Sequence, residues 1–239
     1  MKKIGIIGAM KVEVDYLHNL MLSEDSSASS VVAGGMTFET GKIHGADVVL
    51  CQSGVGKVNA ALCAQLLAVK FQCTNVINTG IAGAMASGLG VMDFVVSTDA
   101  VYHDMDATGF GYKVGQIPQM DVYSFQADET MRKAVKNQFM NSSFAEGHKI
   151  LEGRIATGDQ FISDKNVKKI IAENVNPACV EMEGAAIAHV CVRSGVDFIV
   201  LRYISDCVGE ENQVKDYMAF EYEMAQRSAR ICLQILNNI

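Results

Sequence analysis

Glu181 and Glu183 lie two residues apart in the stretch Val180–Val190 (V-E-M-E-G-A-A-I-A-H-V), between an apolar run and a small-residue segment with helical spacing. A carboxylate among apolar neighbours either acquires partners or shifts its pKa. A pair at such a junction is therefore a candidate functional site. A carboxylate here also suits the start of a helix over Gly184–Val192, where the positive end of the helix dipole favours it. Other polar groups stand at comparable junctions: Glu13, Ser53, Thr79, the backbone of Phe161 and Ile162, and Asp206. The carboxyl edge of an α/β sheet is where ligands bind, and this recurring placement points to an enzyme.

The elements that would carry these groups follow from the apolar patterning. Lys3–Ile7 reads as a strand ending at Gly8, with a helix from Met10 to Met21 whose first turn holds Glu13. Residues 23–36 read as a polar turn region, followed by strands Thr37–Ile43 and Asp47–Ser53. A glycine turn, Ser53–Lys57 (S-G-V-G-K), opens a helix whose core face is expected at Val58, Leu62, Leu66 and Val69. Asn75–Thr79 is a strand expected to end in a second glycine turn, Gly80–Ala84. Further strands are expected at Asp93–Ser97, Ile150–Ala156, Ala178–Met182 and Asp197–Ile204, the last a central one. Helices are expected over 125–146, with a break at Asn141–Ser143, and over Asn166–Glu173. The last helix runs from Tyr217 to the end, with Met224, Ser228, Ile231, Ile235 and Ile239 on one face. With neither an internal repeat nor a linker, 1–239 is expected to form a single α/β domain.

Composition removes several classes of function. The 239 residues are 49% hydrophobic and carry a formal charge of −7 with no basic block, which disfavours nucleic acid or an anionic membrane as partner. The seven cysteines lie mostly in apolar runs without a C-x-x-C pair, as buried thiols of a reducing, cytoplasmic setting do. The start at Met1–Met10 is too short in its apolar part for a signal peptide, and no stretch approaches a membrane span. His103, Asp104 and Asp106 could be imagined as metal ligands, but without a second His or Cys cluster they read as a polar loop, and neither metal nor cofactor is expected.

Taken together, seven motifs resemble the 5′-methylthioadenosine/S-adenosylhomocysteine nucleosidase family of the nucleoside phosphorylase/hydrolase superfamily. They are G-I-I-G-A-M with Glu13 three residues on, S-G-V-G-K-V, N-T-G-x-A-G, Y-H-D-x-D-x-T-x-F-G-Y, G-D-Q-F-I, V-E-M-E and R-x-I-S-D, and they span essentially the whole chain. The resemblance implies an α/β fold with a central mixed twisted sheet flanked by helices. It also implies a homodimer and metal-free hydrolysis of an adenine N-glycosidic bond in a thioether nucleoside, with water as co-substrate, in methionine salvage.

Carried over by motif, Glu13 matches the carboxylate that activates the water and Asp206 the acid that protonates adenine N7, supported by Ser205. Glu183 and Met182 match the ribose contact, Phe161 and Ile162 an adenine-recognition strand, and Arg202 a residue near the water. Val55 and Ile81 fall at the substrate, and Phe110 and Pro118 match a loop that closes over the thio substituent in the neighbouring subunit's site. The chemistry suits these types. Adenine leaves poorly as an anion and needs a proton, while the oxocarbenium-like ribose is stabilised by a nearby carboxylate. The sequence departs from the family at Ile81, where a serine is usual, and in C-V-G-E-E after Asp206, where another Asp near Gly209 is common. The rival readings are a purine nucleoside phosphorylase, an aminodeoxyfutalosine nucleosidase and a non-catalytic nucleoside sensor. A phosphorylase needs a cationic phosphate cradle, and the glycine turns supply only Lys57.

Overall fold

The computed structural model describes residues 2–236 and 238. Its elements in chain order are β1 (Lys3–Gly8), α1 (Lys11–Glu24), β2 (Ser29–Ala33), β3 (Met36–Ile43), β4 (Ala46–Gln52), α2 (Lys57–Val69), β5 (Asn75–Ala84) and β6 (Phe94–Tyr102). They continue with β7 (Phe125–Gln126), α3 (Glu129–Met140), β8 (Ile150–Thr157), α4 (Lys165–Val175), β9 (Cys179–Glu181), α5 (Gly184–Ser194), β10 (Asp197–Cys207) and α6 (Gln213–Ile235). All ten strands join one mixed sheet. β1 lies parallel between β4 and β5, β5 is parallel to β10, and β10 is antiparallel to β6. Because β8 and β9 link β6 back to β5, one end of the sheet closes into a ring. The α/β class with a mixed sheet flanked by helices is as expected.

Two apolar layers cover the sheet. α2 and α5 bury Ala60, Cys63, Ala64, Leu67, Ala185 and Ile187 against even-numbered β10 residues Phe198, Val200 and Ile204. α1, α3 and α6 cover the other face, where Ile199, Leu201 and Tyr203 meet Phe94 and Phe139. Phe94 stacks on Phe139 at 5.4 Å between centroids and lies 4.7 Å from the Tyr203 ring; such aromatic pairs add about 0.5–1.5 kcal/mol beyond area burial.

Several expectations need correction. β5 does not stop at Thr79 but runs through the glycines to Ala84. The polar stretch 23–36 contains an edge strand, β2, whose exposed side chains carry little apolar signal. The helix expected from 125 starts at 129, because Asp128 caps it by accepting the Met131 N–H, and residues 125–126 pair with β6. On α2 the apolar face was misassigned. Val58 is 79% and Val69 66% exposed, Leu62 is exposed as well, and the small residues face inward. A helix apolar on both faces gives no unique stripe, and close packing against the small side chains of α5 selects the small-residue face. On α6, Met224, Ser228, Ile231 and Ile235 are buried as expected, whereas Ile239 lies outside the described residues.

Candidate active site

Glu13 enters the site from the first turn of α1. Its Oε2 accepts the backbone N–H groups of Ala9 at 2.7 Å and Met10 at 3.0 Å, and the backbone of Ile81 also donates to it. The side chain therefore caps its own helix, but it is buried and not on a surface turn. Burial pushes its pKa up, against the pull of Arg202 and those N–H groups. The reason β5 carries a glycine at position 80 is now visible: a Cβ there would stand 2.5 Å from Glu13 Oε1. Gly83 serves the second acid in the same way, since its Cβ would come within 3.0 Å of Asp206 Oδ2. Glycines inside a strand mark the close approach of another group, and here two carboxylates approach β5.

Asp206 owes its placement to an irregularity in β10. Ile204 pairs with Ala82 and Asp206 with Gly83, so one residue, Ser205, is skipped in the register. A bulge of this kind re-aims the side chains that follow it. Ser205 Oγ donates to Asp206 Oδ1 at 2.7 Å, and Gln213 Nε2 donates to Oδ2 at 2.8 Å. Only 1% of Asp206 is exposed, and desolvation raises its pKa despite both donors.

The pair that opens α5 divides its duties. Glu181 is bonded by Arg202 Nη2 and Thr157 Oγ1, and its Oε2 accepts the Gly184 N–H at 2.7 Å. It anchors the turn. Glu183 accepts only the Gly56 N–H, at 2.9 Å, from the glycine turn before α2, and stands 4.0 Å from Arg202. Desolvation first, and the charge of Glu181 second, push the Glu183 pKa up to about 8. Glu13 adds to that shift, which places the two acids within electrostatic reach of each other.

One cavity of about 600 Å³, partly open to solvent, gathers these groups. Glu13, Glu181, Glu183 and Asp206 line it together with Met182, Ile81, Val55, Ser205 and the Gln160–Ile162 loop. Its apolar end is formed by Met10, Phe161 and Tyr217, the two rings meeting edge to face at 5.7 Å. No lysine, arginine or histidine lines it among the described residues. Lys57 Nζ is 2.5 Å from Asp104 Oδ2 and 3.7 Å from Asp159, and so is neutralised beside the glycine turn.

Nine of the twelve site residues read from the sequence line this cavity. Arg202 lies behind the wall, bonded to Glu181, the Leu201 carbonyl and Asn78 Oδ1. Phe110, 86% exposed, and Pro118 lie on the loop after β6 and do not reach the cavity of their own chain. Phe161 and Ile162 belong to an irregular loop and not to a strand. Thr79 is drawn the other way, donating to Ser228 Oγ of α6, and Ser53 bonds the Gly54 carbonyl. Asp104 and Asp106 take Lys57 and Thr108 as partners. Sequence reasoning missed Gln213 and Tyr217, since neither a glutamine in a polar segment nor a tyrosine on an amphipathic helix carries a signal of its own.

The match to known proteins extends over the full chain. A family model described as the phosphorylase superfamily matches residues 3–237. A 5′-methylthioadenosine/S-adenosylhomocysteine nucleosidase of Geobacillus sp. (strain WCH70) is 39% identical, covering 99% of both chains. The crystal structure of such a nucleosidase from Colwellia psychrerythraea 34H, in complex with adenine, superposes with a TM-score of 0.91 at 37% identity, covering 99% of this chain and 95% of that one. The structure of futalosine hydrolase of Helicobacter pylori strain 26695 superposes at 0.90 with 30% identity, covering 100% and 98%. With four acids around one cavity, no basic side chain lining it and this likeness from end to end, the chain belongs to the phosphorylase superfamily and, within it, to the 5′-methylthioadenosine/S-adenosylhomocysteine nucleosidase family.

Proposed function

We propose that the chain, as a single nucleosidase domain, hydrolyses the N-glycosidic bond of 5′-methylthioadenosine and S-adenosylhomocysteine, releasing adenine and the 5′-thio-substituted ribose. The observation that carries this reading is the set of buried carboxylates facing a cavity with no cation in its wall. Such a wall offers a phosphate dianion no cationic cradle, and a carboxylate in it stabilises the positive charge that develops on the ribose as the bond breaks. Asp206, whose pKa burial raises, donates to adenine N7. Glu13 orients and deprotonates the attacking water, and Glu183 grips the ribose hydroxyls. The Met10, Phe161 and Tyr217 end suits an apolar thioether. Arg202 acts through Glu181, fixing the turn that presents Met182 and Glu183.

The reading includes a homodimer. Support comes from the apolar side chains left outside, Phe110 on its loop and Val58 and Val69 on α2, since buried apolar anchors are the usual content of two-fold contacts. A loop from the second subunit would then close the thioether end of the pocket.

The test is product analysis with 5′-methylthioadenosine, with and without phosphate. Free adenine and free 5-methylthioribose in both conditions are expected; the 1-phosphate sugar in the presence of phosphate would make the chain a phosphorylase. The likeness to futalosine hydrolase supports aminodeoxyfutalosine as a second substrate, and a comparison of kcat/KM ranks the two.

A further inference from the structure

The acid Asp206 is not held by its own strand alone. Gln213, the first residue of α6, is 3% exposed and makes three hydrogen bonds with its side-chain amide. Oε1 accepts the Gly209 N–H at 2.8 Å, and Nε2 donates both to the Ile162 carbonyl and to Asp206 Oδ2, each at 2.8 Å. The neighbours fix which end of the amide is which. A backbone N–H can only face the oxygen and a backbone carbonyl only the nitrogen, so the NH₂ group is turned to the acid in one orientation. Asp206 and the Phe161–Ile162 loop, which come from β10 and from the segment after β8, are thereby tied to one rigid planar group.

We propose that Gln213 is a positioning residue for the hydrolysis: its amide sets the plane of the Asp206 carboxyl against the Ile162 loop and stabilises the carboxylate left once the proton has gone to the leaving base. The inference rests on the nucleosidase reading above. Asp206 must donate its proton and then exist as an anion in a desolvated wall. Hydrogen bonds to a charged group are worth more than bonds to a neutral one, so the donor Nε2 favours the transferred state over the initial one. Among the described residues Ser205 supplies the one other donor to this carboxyl, on the opposite oxygen. The titratable groups around it are Asp216 and Tyr217 on α6 and Cys207 next in the chain, and none of them donates to it.

The experiment compares wild type with Gln213→Met and Gln213→Glu on 5′-methylthioadenosine. Methionine keeps the length and volume but neither donates nor accepts strongly. It is expected to lower kcat about 10–100-fold, the worth of one bond to a charged group, with KM changed by less than about 3-fold. Removal of the donor also raises the Asp206 pKa further, so the basic limb of the kcat profile moves to higher pH. Glutamate offers an oxygen for Gly209 and a donor for Asp206 only while protonated. Its activity is therefore expected to recover partly at low pH and to fall steeply as pH rises. Should Gln213→Met keep kcat within about 3-fold, or lose kcat and folding stability together with the basic limb unmoved, the positioning role is overturned. Wild type that releases no adenine overturns the functional reading instead, so the two failures are distinguishable.

Discussion

Arg202 Nη2 donates to Glu181 while standing 4.0 Å from Glu183, so the single guanidinium beneath the site is committed to one of two neighbouring acids. Both members of the bonded pair are buried. Glu181 thereby takes the guanidinium as its partner, and Glu183 is left with a raised pKa and one backbone donor. Loss of one partner from a buried pair leaves an uncompensated charge at a cost of about 3–5 kcal/mol. Arg202→Met is expected to destabilise the chain by that amount in urea unfolding, and the double change with Glu181→Met to recover most of it. A loss below about 1 kcal/mol for the single change would show that water reaches the pair.

Asp206→Asn keeps the size of the side chain and its hydrogen bond from Ser205, but it has no carboxylic proton to give. General acid catalysis is worth about 10²–10⁴-fold. Steady-state release of adenine is expected to fall by at least 100-fold with the thermal unfolding midpoint little changed. A variant that retains more than about a tenth of the wild-type kcat would remove Asp206 from the acid's role.

Glu13→Gln is expected to abolish turnover while the protein still binds an adenosine analogue, seen as a rise in melting temperature with ligand. In the wild type the acidic limb of kcat/KM follows protonation of Glu13, whose pKa burial raises, so activity is lost as pH falls through it. If ligand binding disappears along with turnover, Glu13 is a ground-state contact and not the partner of the water.

Glu183 holds its proton up to about pH 8 in the folded chain, against a reference near 4.5 when unfolded. Between those values the folded state binds the extra proton, so this contribution to stability is full below about pH 4.5 and is lost as pH rises towards 8. Glu13 and Asp206 act with the same sign. Glu183→Gln is expected to flatten the decline, so that the variant gains on wild type from pH 5 to 8 by about 3 °C or more in Tm. Parallel Tm curves for the two proteins would mean that Glu183 is ionised throughout.

Phe110 is the most exposed of the large apolar side chains described and sits on the loop after β6. On the dimer reading, Phe110→Ala raises KM for 5′-methylthioadenosine far more than for adenosine, which lacks the thioether. Sedimentation at micromolar concentration checks the premise. A fully active species of 25.8 kDa would confine each site to one chain.

The acids were legible in the sequence because a carboxylate at an element junction is chemically conspicuous, and Glu13, Glu183 and Asp206 do share one cavity. Their supports were not. The Gly80–Ala84 segment looks like a turn by composition, and only the proximity of Glu13 and Asp206 explains glycines in an unbroken strand. The outward face of α2 was misread because Val58, Leu62 and Val69 satisfy helical spacing as well as the buried residues do. Gln213 escaped notice because its importance lies in three partners that are distant from it in the chain or set by a turn.

The skipped residue in β10 has a consequence for how this acid can be gained or lost. Up to Ile204 the strand alternates strictly, with even positions under α2 and α5 and odd positions under α1, α3 and α6. Unbroken alternation would send residue 206 to the same side as Ile204. The bulge reverses the parity, and Asp206 joins Gly83 on the face that carries Ile81. The address of the acid is therefore written in a residue count as much as in a residue type. Insertion of one residue between Ala82 and Gly83 would give Ser205 a partner of its own and make the ladder regular, yet turn the carboxyl of Asp206 to the Ile204 side and away from the cavity. A lineage could thus silence this site by lengthening one strand by a single residue, with every acid still in the chain.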